Sequence, residues 1–139
     1  MRKRTLAREC ALKILYAVDI TKDDSAPKQE IFWQEQGDVE EEVRSFAGML
    51  VKGVQDHREE IDAVISKYAT NWDLARMAVI DRNILRFATY EILFTSDIPP
   101  KVSINEAIDI AKKYGDSDSG KFVNGVLDKI SKSEEKRAA

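Results

Sequence analysis

Apolar residues recur at intervals of three and four positions along most of this chain, which is the spacing of one face of an α-helix. Such stripes occupy residues 6–18, 38–52, 56–68 and 80–93, and a short helical turn is expected at Trp72. No alternation of apolar and polar residues is long enough to indicate a β-strand. The pattern therefore predicts an all-α fold of about seven helices, arranged as two packed helical-bundle halves.

Capping and helix-breaking residues predict where several of these helices begin and end. Thr5 can cap the first helix, and residues 21–30 form a polar connector with one proline. Gly53 can end the helix over 38–52. The proline pair after Ile98 ends the helix over 80–93, because proline removes a backbone donor and disfavours helix at the preceding residue.

The stretch 98–130 predicts two further helices joined by the small, polar loop 116–120. Ser103 and Glu106 have the S-x-x-E spacing of a capping box, in which each side chain binds a free amide at a helix start. Gly115 can take the left-handed turn that closes a helix. This stretch is the most informative part of the chain, because a polar loop lies directly beside the aromatic side chain of the second helix.

Length and composition favour one globular domain over 1–139, with 43% hydrophobic and 34% charged residues. We expect an N-terminal half of about 1–69, a C-terminal half of about 70–132 and a short charged tail over 133–139. Cys10, the single cysteine, excludes an internal disulfide and lies on an apolar stripe, so it is expected to be a buried hydrophobe. No apolar run approaches membrane-spanning length, which favours a cytoplasmic protein.

The net charge of −3 hides an uneven distribution of charge along the chain. Residues 1–13 carry five basic residues and one acid, residues 19–62 carry thirteen acids and five bases, and the end from residue 112 is again slightly basic. Such asymmetry points to contact with a polyanion. A basic tail that is only solvated is the alternative.

Known catalytic and cofactor motifs are not found in the sequence. It contains no glycine-rich phosphate loop, and its only histidine, His57, lies among charged residues. Asp116 and Asp118 lack the ligand series of a calcium loop, so capping of the last helix is an alternative role for them. We therefore expect no catalysis, no cofactor and no metal.

The remaining features are typical of nucleic-acid binding. The basic start can neutralise phosphates, and Lys121 places a cation beside the flat ring of Phe122, a combination that holds single-stranded RNA. Core packing of Phe122 is the alternative, and Asn124 can equally be a buried amide.

Three segments resemble the NusB family. They are ARECA over 7–11, DR-x-ILR over 81–86, and INEAI over 104–108 with KFVNGVLD over 121–128. Only residues 19–60 lack a clear signature. The resemblance implies a non-enzymatic RNA-binding protein that binds the boxA element of nascent single-stranded RNA with the ribosomal protein NusE, and that serves the RNA polymerase antitermination complex of ribosomal RNA operons.

The resemblance also implies which residues act. The RNA-binding residues would be Arg2, Lys3, Arg4, Arg8, Asp118, Lys121 and Phe122. Tyr16 and Asp81 would contact the protein partner, although Asp81 and Arg82 can also form surface ion pairs. Because the basic start is short, we expect modest RNA affinity without NusE.

Two other functions remain open at this point. A NusB-like domain also precedes the catalytic domain of a ribosomal RNA cytosine methyltransferase family, and a purely structural helical adaptor would leave the basic residues solvated. A homodimer is also compatible with the sequence.

Overall fold

The computed structural model describes residues 2–137, so that Met1, Ala138 and Ala139, including the end of the predicted charged tail, lie outside the described residues. This range contains seven α-helices, one short 3-10 helix and no strand, which confirms the predicted all-α fold. The helices are α1 (Lys3–Thr21), α2 (Ala26–Gln36), α3 (Glu41–Asp56), α4 (Arg58–Tyr68), α5 (Val79–Phe94), α6 (Pro100–Tyr114) and α7 (Ser119–Ser133). The 3-10 helix, Leu74–Arg76, lies where a short turn was expected after Trp72.

The central helix is α5, which packs against α1, α3, α4, α6 and α7. It is buried on nearly all sides, and Ile84, Leu85 and Phe87 are fully enclosed. Its buried positions include both the apolar residues expected of a helix in the interior of a bundle and charged residues, such as Arg86 and Glu91, that form ion pairs. Cys10 of α1 is buried in the same core, as its position on the apolar stripe predicted. The division into two halves near residue 70 stays a prediction.

Several predicted helix boundaries are wrong. Thr5 lies inside α1, where its hydroxyl donates to Glu106 instead of capping the helix. The connector over 21–30 is shorter than predicted, because α2 begins at Ala26 with its proline in the first turn, where proline is tolerated. Helix α3 continues through Gly53 to Asp56.

Gly53 is needed for helix packing. A Cβ atom built at Gly53 would lie 2.2 Å from the ring of Tyr90 in α5. The absence of a side chain therefore lets α3 and α5 approach closely, which accounts for a glycine inside a helix.

The predicted capping box at Ser103 and Glu106 is also wrong. Helix α6 begins at Pro100, one turn earlier, and both side chains are buried against α1 and α5. The Ser103 hydroxyl donates to Glu91 at 2.8 Å, and Glu106 accepts from Arg8 at 3.1 Å. Tertiary partners, and not the amides of the helix start, satisfy both groups.

Gly115 does not adopt the predicted left-handed turn. Its φ of −92° and ψ of −163° are extended. A Cβ atom there would lie 2.3 Å from the Ser119 hydroxyl, so the residue lacks a side chain for steric reasons. The tight turn brings the start of α7 back onto the end of α6.

A buried charged cluster joins the end of α1 to α5. The Asp19 carboxylate accepts hydrogen bonds from Arg82 at 2.6 and 2.7 Å, from Asn83 at 2.9 Å and from Arg86 at 3.0 Å. Burial alone raises the pKa of Asp19, but the bonds from Arg82 and Asn83 lower it well below its usual range. Each buried charge in the cluster is thus paired, as burial requires.

Candidate nucleic-acid interface

An open groove of about 600 Å³ lies between the segment after α4, the start of α5 and the face of α7. Four residues that were predicted from the sequence as functional line it. They are Asp81, Asp118, Lys121 and Phe122. The structure therefore brings the loop 116–120, the first turns of α7 and the start of α5 together at one surface.

Two aromatic rings form one side of the groove. Trp72 and Phe122 meet edge to face, with their centroids 5.9 Å apart and their planes inclined by 67°. Trp72 is 54% exposed, whereas Phe122 is half-buried and packs partly against the core. Phe122 thus contributes to packing and also lines the groove, so that the two alternatives for this residue are compatible.

The cations of the groove come from α7. Lys121 and Lys129 are exposed, line the groove and form no ion pair within residues 2–137. Their separation of eight residues corresponds to about 12 Å along the helix axis. The groove therefore offers two ammonium groups on the helix that carries Phe122.

The acidic loop closes one end of the groove. Asp118 occupies the N-cap position of α7, but its side chain makes no capping hydrogen bond, so the alternative of a side-chain cap is not found. Instead, its backbone amide donates to the Asp116 carboxylate at 2.8 Å. The Asp118 carboxylate is exposed and accepts no hydrogen bond within the described residues.

Asp81 lies at the start of α5 and is only 8% exposed. Its Oδ1 atom is buried and has no hydrogen-bond partner within the described residues. Burial raises the pKa of this carboxyl, an interaction with the Ser119 hydroxyl partly offsets that rise, and the nearby Asp116 charge adds to it. The alternative of surface ion pairs is not found: Asp81 forms no ion pair within residues 2–137, and Arg82 pairs with the buried Asp19.

The basic start of α1 is accessible. Arg2, Lys3 and Arg4 are exposed, and Arg2 reaches 83% exposure of its side chain. Their ion pairs join Arg2 to Glu106, Lys3 to Glu40 and Glu42, and Arg4 to Asp97, at distances of 3.0–3.6 Å. Pairs of this kind on a surface contribute little energy, so that a phosphate can replace the carboxylate.

Arg8 differs from the rest of the basic start, because it is only 2% exposed. All three nitrogens of its guanidinium donate to carboxylates, two to Glu91 and one to Glu106. We therefore correct its role from a surface RNA contact to an internal ion pair that holds α1 against α5 and α6.

The remaining predicted RNA-binding residues form two separate groups. Arg2 and Arg8 both contact Glu106, and Arg8 contacts Glu91 near the end of α5. The groove instead surrounds Asp81, ten residues earlier in the same helix, which corresponds to about 15 Å. The basic start and the groove therefore lie towards opposite ends of α5.

Tyr16, predicted as a partner contact, lies on α1 and is 41% exposed. It is two helical turns after Glu9, which binds Lys113 at 3.1 Å and Tyr114 at 2.8 Å. Its ring does not line the groove that contains Asp81.

Two groove residues were missed in the sequence analysis. Trp72 was assigned to a helical turn, although a tryptophan between two polar residues is a signal of a functional loop. Lys129 could have been found from its position two turns after Lys121 on a helix with an exposed glycine between them.

Residues 2–137 contain neither a candidate metal site nor a candidate membrane-spanning helix. This range contains no group of three or more His, Cys, Asp or Glu side chains placed to hold a metal ion. It also contains no helix that is long and apolar enough to cross a membrane.

Comparison with known proteins identifies the family. Residues 5–132 match the NusB family. The chain is 49% identical to the transcription antitermination protein NusB of Geobacter sulfurreducens over 130 residues, which are 94% of each protein. The names of such relatives describe transcription antitermination proteins, as the resemblance implied.

Two solved structures agree with this result. A structure of T. maritima NusB has a TM-score of 0.84 and 40% identity, covering 99% of this chain and 94% of that one. A crystal structure of the antitermination factors NusB and NusE in complex with dsRNA has a TM-score of 0.87 and 32% identity, covering 96% and 98%. The motifs, the seven-helix fold and these similarities together establish that the chain belongs to the NusB family.

Proposed function

We propose that this protein acts in transcription antitermination by binding RNA together with the ribosomal protein NusE. Relatives 48–49% identical to this chain carry the name of a transcription antitermination protein. A structural neighbour at 32% identity was crystallised with NusE and dsRNA, which supports RNA as a ligand without deciding between single and double strands. The finer part of the proposal is that the RNA is a single-stranded boxA-type element of a nascent transcript, bound in the cytoplasm for the RNA polymerase antitermination complex.

The groove supports single-stranded RNA as the ligand. An exposed Trp72 beside Phe122 offers aromatic surface for an unstacked base, and Lys121 and Lys129 offer charge for the backbone. Base stacking on an aromatic ring combined with phosphate neutralisation is the common mode of single-strand recognition. In a duplex the bases are paired and stacked, so they cannot enter a groove of this kind. This juxtaposition of rings and cations is the observation on which the proposal depends.

In this proposal the groove and the basic start of α1 bind different parts of the RNA. The groove holds bases, and the exposed Asp118 accepts hydrogen bonds from base amino groups. Arg2, Lys3 and Arg4 hold a more distant part of the backbone through phosphate contacts without sequence choice. Arg8 supports the second group from inside, because it holds the start of α1 in place.

The partner face is proposed to include Tyr16 and Asp81. Tyr16 supplies an exposed ring on α1, and tyrosine is enriched at protein interfaces. Asp81 has a carboxylate oxygen without a partner, so a donor from NusE would satisfy it. We propose that NusE contacts the exposed Tyr16 and reaches Asp81 in the groove beside the RNA, and that it thereby tightens RNA binding; a homodimer would compete for the exposed surface at Tyr16.

Fluorescence anisotropy of a labelled boxA-type RNA tests the function. The protein is titrated alone and with NusE, at two salt concentrations, and a duplex of the same sequence is the matched control. We expect modest binding alone, clear tightening by NusE, weakening as salt rises, and preference for the single strand. Absence of binding in both titrations would leave the structural adaptor. Equal binding of the duplex would exclude base recognition in the groove.

A further inference from the structure

The segment Glu134–Arg137, which we name the C-terminal strap, follows α7 and lies beyond residues 5–132 that match the family. It is held against the bundle. The backbone amide of Arg137 donates to the carbonyl of Leu93 at 2.7 Å. The Lys136 ammonium donates to the carbonyl of Ile92 at 2.7 Å and to that of Thr95. A cation at the last carbonyls of a helix is favourable, so the strap is anchored at the end of α5.

Glu134 connects the strap to α4. Its carboxylate accepts the hydroxyl hydrogen bond of Tyr68 and lies 3.3 Å from the Lys67 ammonium and 3.0 Å from Arg137. Its side chain is only 12% exposed. The hydrogen bonds from Tyr68 and Arg137 lower the pKa of Glu134 to about 2, so that it is a charged acceptor at neutral pH. Arg137 also binds Glu60 of α4 at 2.8 Å, which adds a second link.

Tyr68 is the point at which the strap meets the groove. It is the last residue of α4, is half-buried and lines the groove together with the following residues 69–72. That turn is held by a single described backbone bond of its own, from the Trp72 amide to the Ala69 carbonyl at 3.0 Å. Tyr68 is therefore the residue through which the strap is connected to the segment that carries Trp72.

We propose that Glu134 is a positioning residue for RNA binding: it fixes Tyr68, and through Tyr68 the groove wall that carries Trp72. This inference rests on the proposed function of the groove. Glu134 itself contacts no RNA in this arrangement, because its carboxylate is occupied by Tyr68, Lys67 and Arg137. The strap therefore affects RNA binding indirectly, through Tyr68 and the segment that carries Trp72.

Substitutions at both ends of the hydrogen bond test the proposal. Glu134→Gln removes the charged acceptor, and Tyr68→Phe removes the donor but keeps the ring. The matched control is Glu135→Gln, which removes the same charge from an exposed side chain that forms no hydrogen bond or ion pair within the described residues. We expect both test variants to bind single-stranded RNA about three- to tenfold more weakly than the control. The salt slope should not change, because no phosphate contact is lost.

The double variant shows whether the two residues act as one unit. Tyr68→Phe combined with Glu134→Gln is expected to lose less affinity than the sum of the two single losses, since the hydrogen bond between these residues is weakened or absent in all three variants. Additive losses, or Glu134→Gln binding RNA as tightly as Glu135→Gln, would overturn the inference.

A measurement without RNA separates this inference from the proposed function. In Glu134→Gln and in Tyr68→Phe, the backbone amides of residues 69–72 are expected to exchange with solvent faster than in Glu135→Gln. If the unaltered protein bound no RNA, the proposed function would fail while the exchange data still tested the strap. Unchanged exchange at residues 69–72 in both test variants would exclude a positioning role.

Discussion

The Arg8 guanidinium in α1 donates two parallel hydrogen bonds to the Glu91 carboxylate in α5, at 2.7 and 2.9 Å, although 83 positions separate the two residues in the sequence. Both residues are almost completely buried, and Glu106 of α6 accepts the third guanidinium nitrogen at 3.1 Å. Fork-like pairing of this kind is specific to arginine. It fixes the start of α1, and with it the exposed basic residues that precede Arg8.

Replacement of Arg8 by Met is expected to lower the free energy of unfolding by about 3–5 kcal/mol, because the buried Glu91 loses its counter-charge and Glu106 keeps only the exposed Arg2. Urea denaturation followed by circular dichroism measures this loss. Arg4→Met is the control, since the ion pair of Arg4 with Asp97 is exposed and contributes about 0–1 kcal/mol. If Arg8→Met kept normal stability and lost only RNA affinity, our correction of its role would be mistaken.

The Asp19 cluster predicts how stability depends on pH. The pKa of Asp19 is lower in the folded protein than in the unfolded chain, so its contribution is present above the unfolded pKa of about 3.9 and is lost as pH falls below it. Asp19→Asn should be less stable at neutral pH by about 3 kcal/mol, since Arg82 loses its ion-pair partner and Arg86 keeps only Asp62. Denaturant titrations between neutral and acidic pH should show a shallower decline in the variant. Equal declines in both proteins would contradict the linkage.

Two glycines of α3 should respond in opposite directions to the same substitution. Gly53→Ala places a methyl group against the Tyr90 ring, which also stacks with Phe94, and is expected to cost about 1–3 kcal/mol of stability. Gly48→Ala meets nothing within 4 Å and should stabilise the helix by about 0.5–1 kcal/mol. Thermal melting compares the two variants, and destabilisation of equal size would contradict the packing argument.

Trp72 and Phe122 should strengthen RNA binding by stacking on bases, which does not depend on salt concentration as a phosphate contact does. Trp72→Ala and Phe122→Ala are each expected to weaken binding of single-stranded RNA by about 1–3 kcal/mol, with an unchanged salt slope. Ile31→Ala, which removes an exposed apolar side chain from α2, is the control. Anisotropy titrations at several salt concentrations measure both quantities. A loss confined to Phe122 would remove Trp72 from the site.

The groove lysines should act through phosphates. Lys121→Ala is expected to reduce the salt slope of binding to single-stranded RNA by about 0.7, which corresponds to one lost phosphate contact. Lys28→Ala removes the same charge from the exposed face of α2, where no RNA contact is proposed, and should leave the slope unchanged. Identical slopes for the two variants would show that Lys121 does not contact the backbone.

The sequence by itself determined six of the seven described α-helices and their apolar faces, whereas α2 begins inside the predicted connector. The stripe from Leu6 to Val18 became α1, the stripe from Ile80 to Leu93 became α5, and Cys10 lies buried where its spacing predicted. Helical periodicity arises from local backbone geometry, so it is visible without knowledge of the fold. The family motifs also indicated Asp81, Asp118, Lys121 and Phe122, which share one groove.

Only the tertiary structure decided which polar residues serve the fold and which remain free. Ser103 and Glu106 have the spacing of a capping box, yet they bind partners on α5 and α1. Arg8 has the same chemistry as Arg4, but one is buried and the other exposed. Trp72 and Phe122 are 50 positions apart and meet only because the end of α4 packs beside α7. Local spacing cannot encode these outcomes, because each depends on which helix faces come together and on the desolvation that follows.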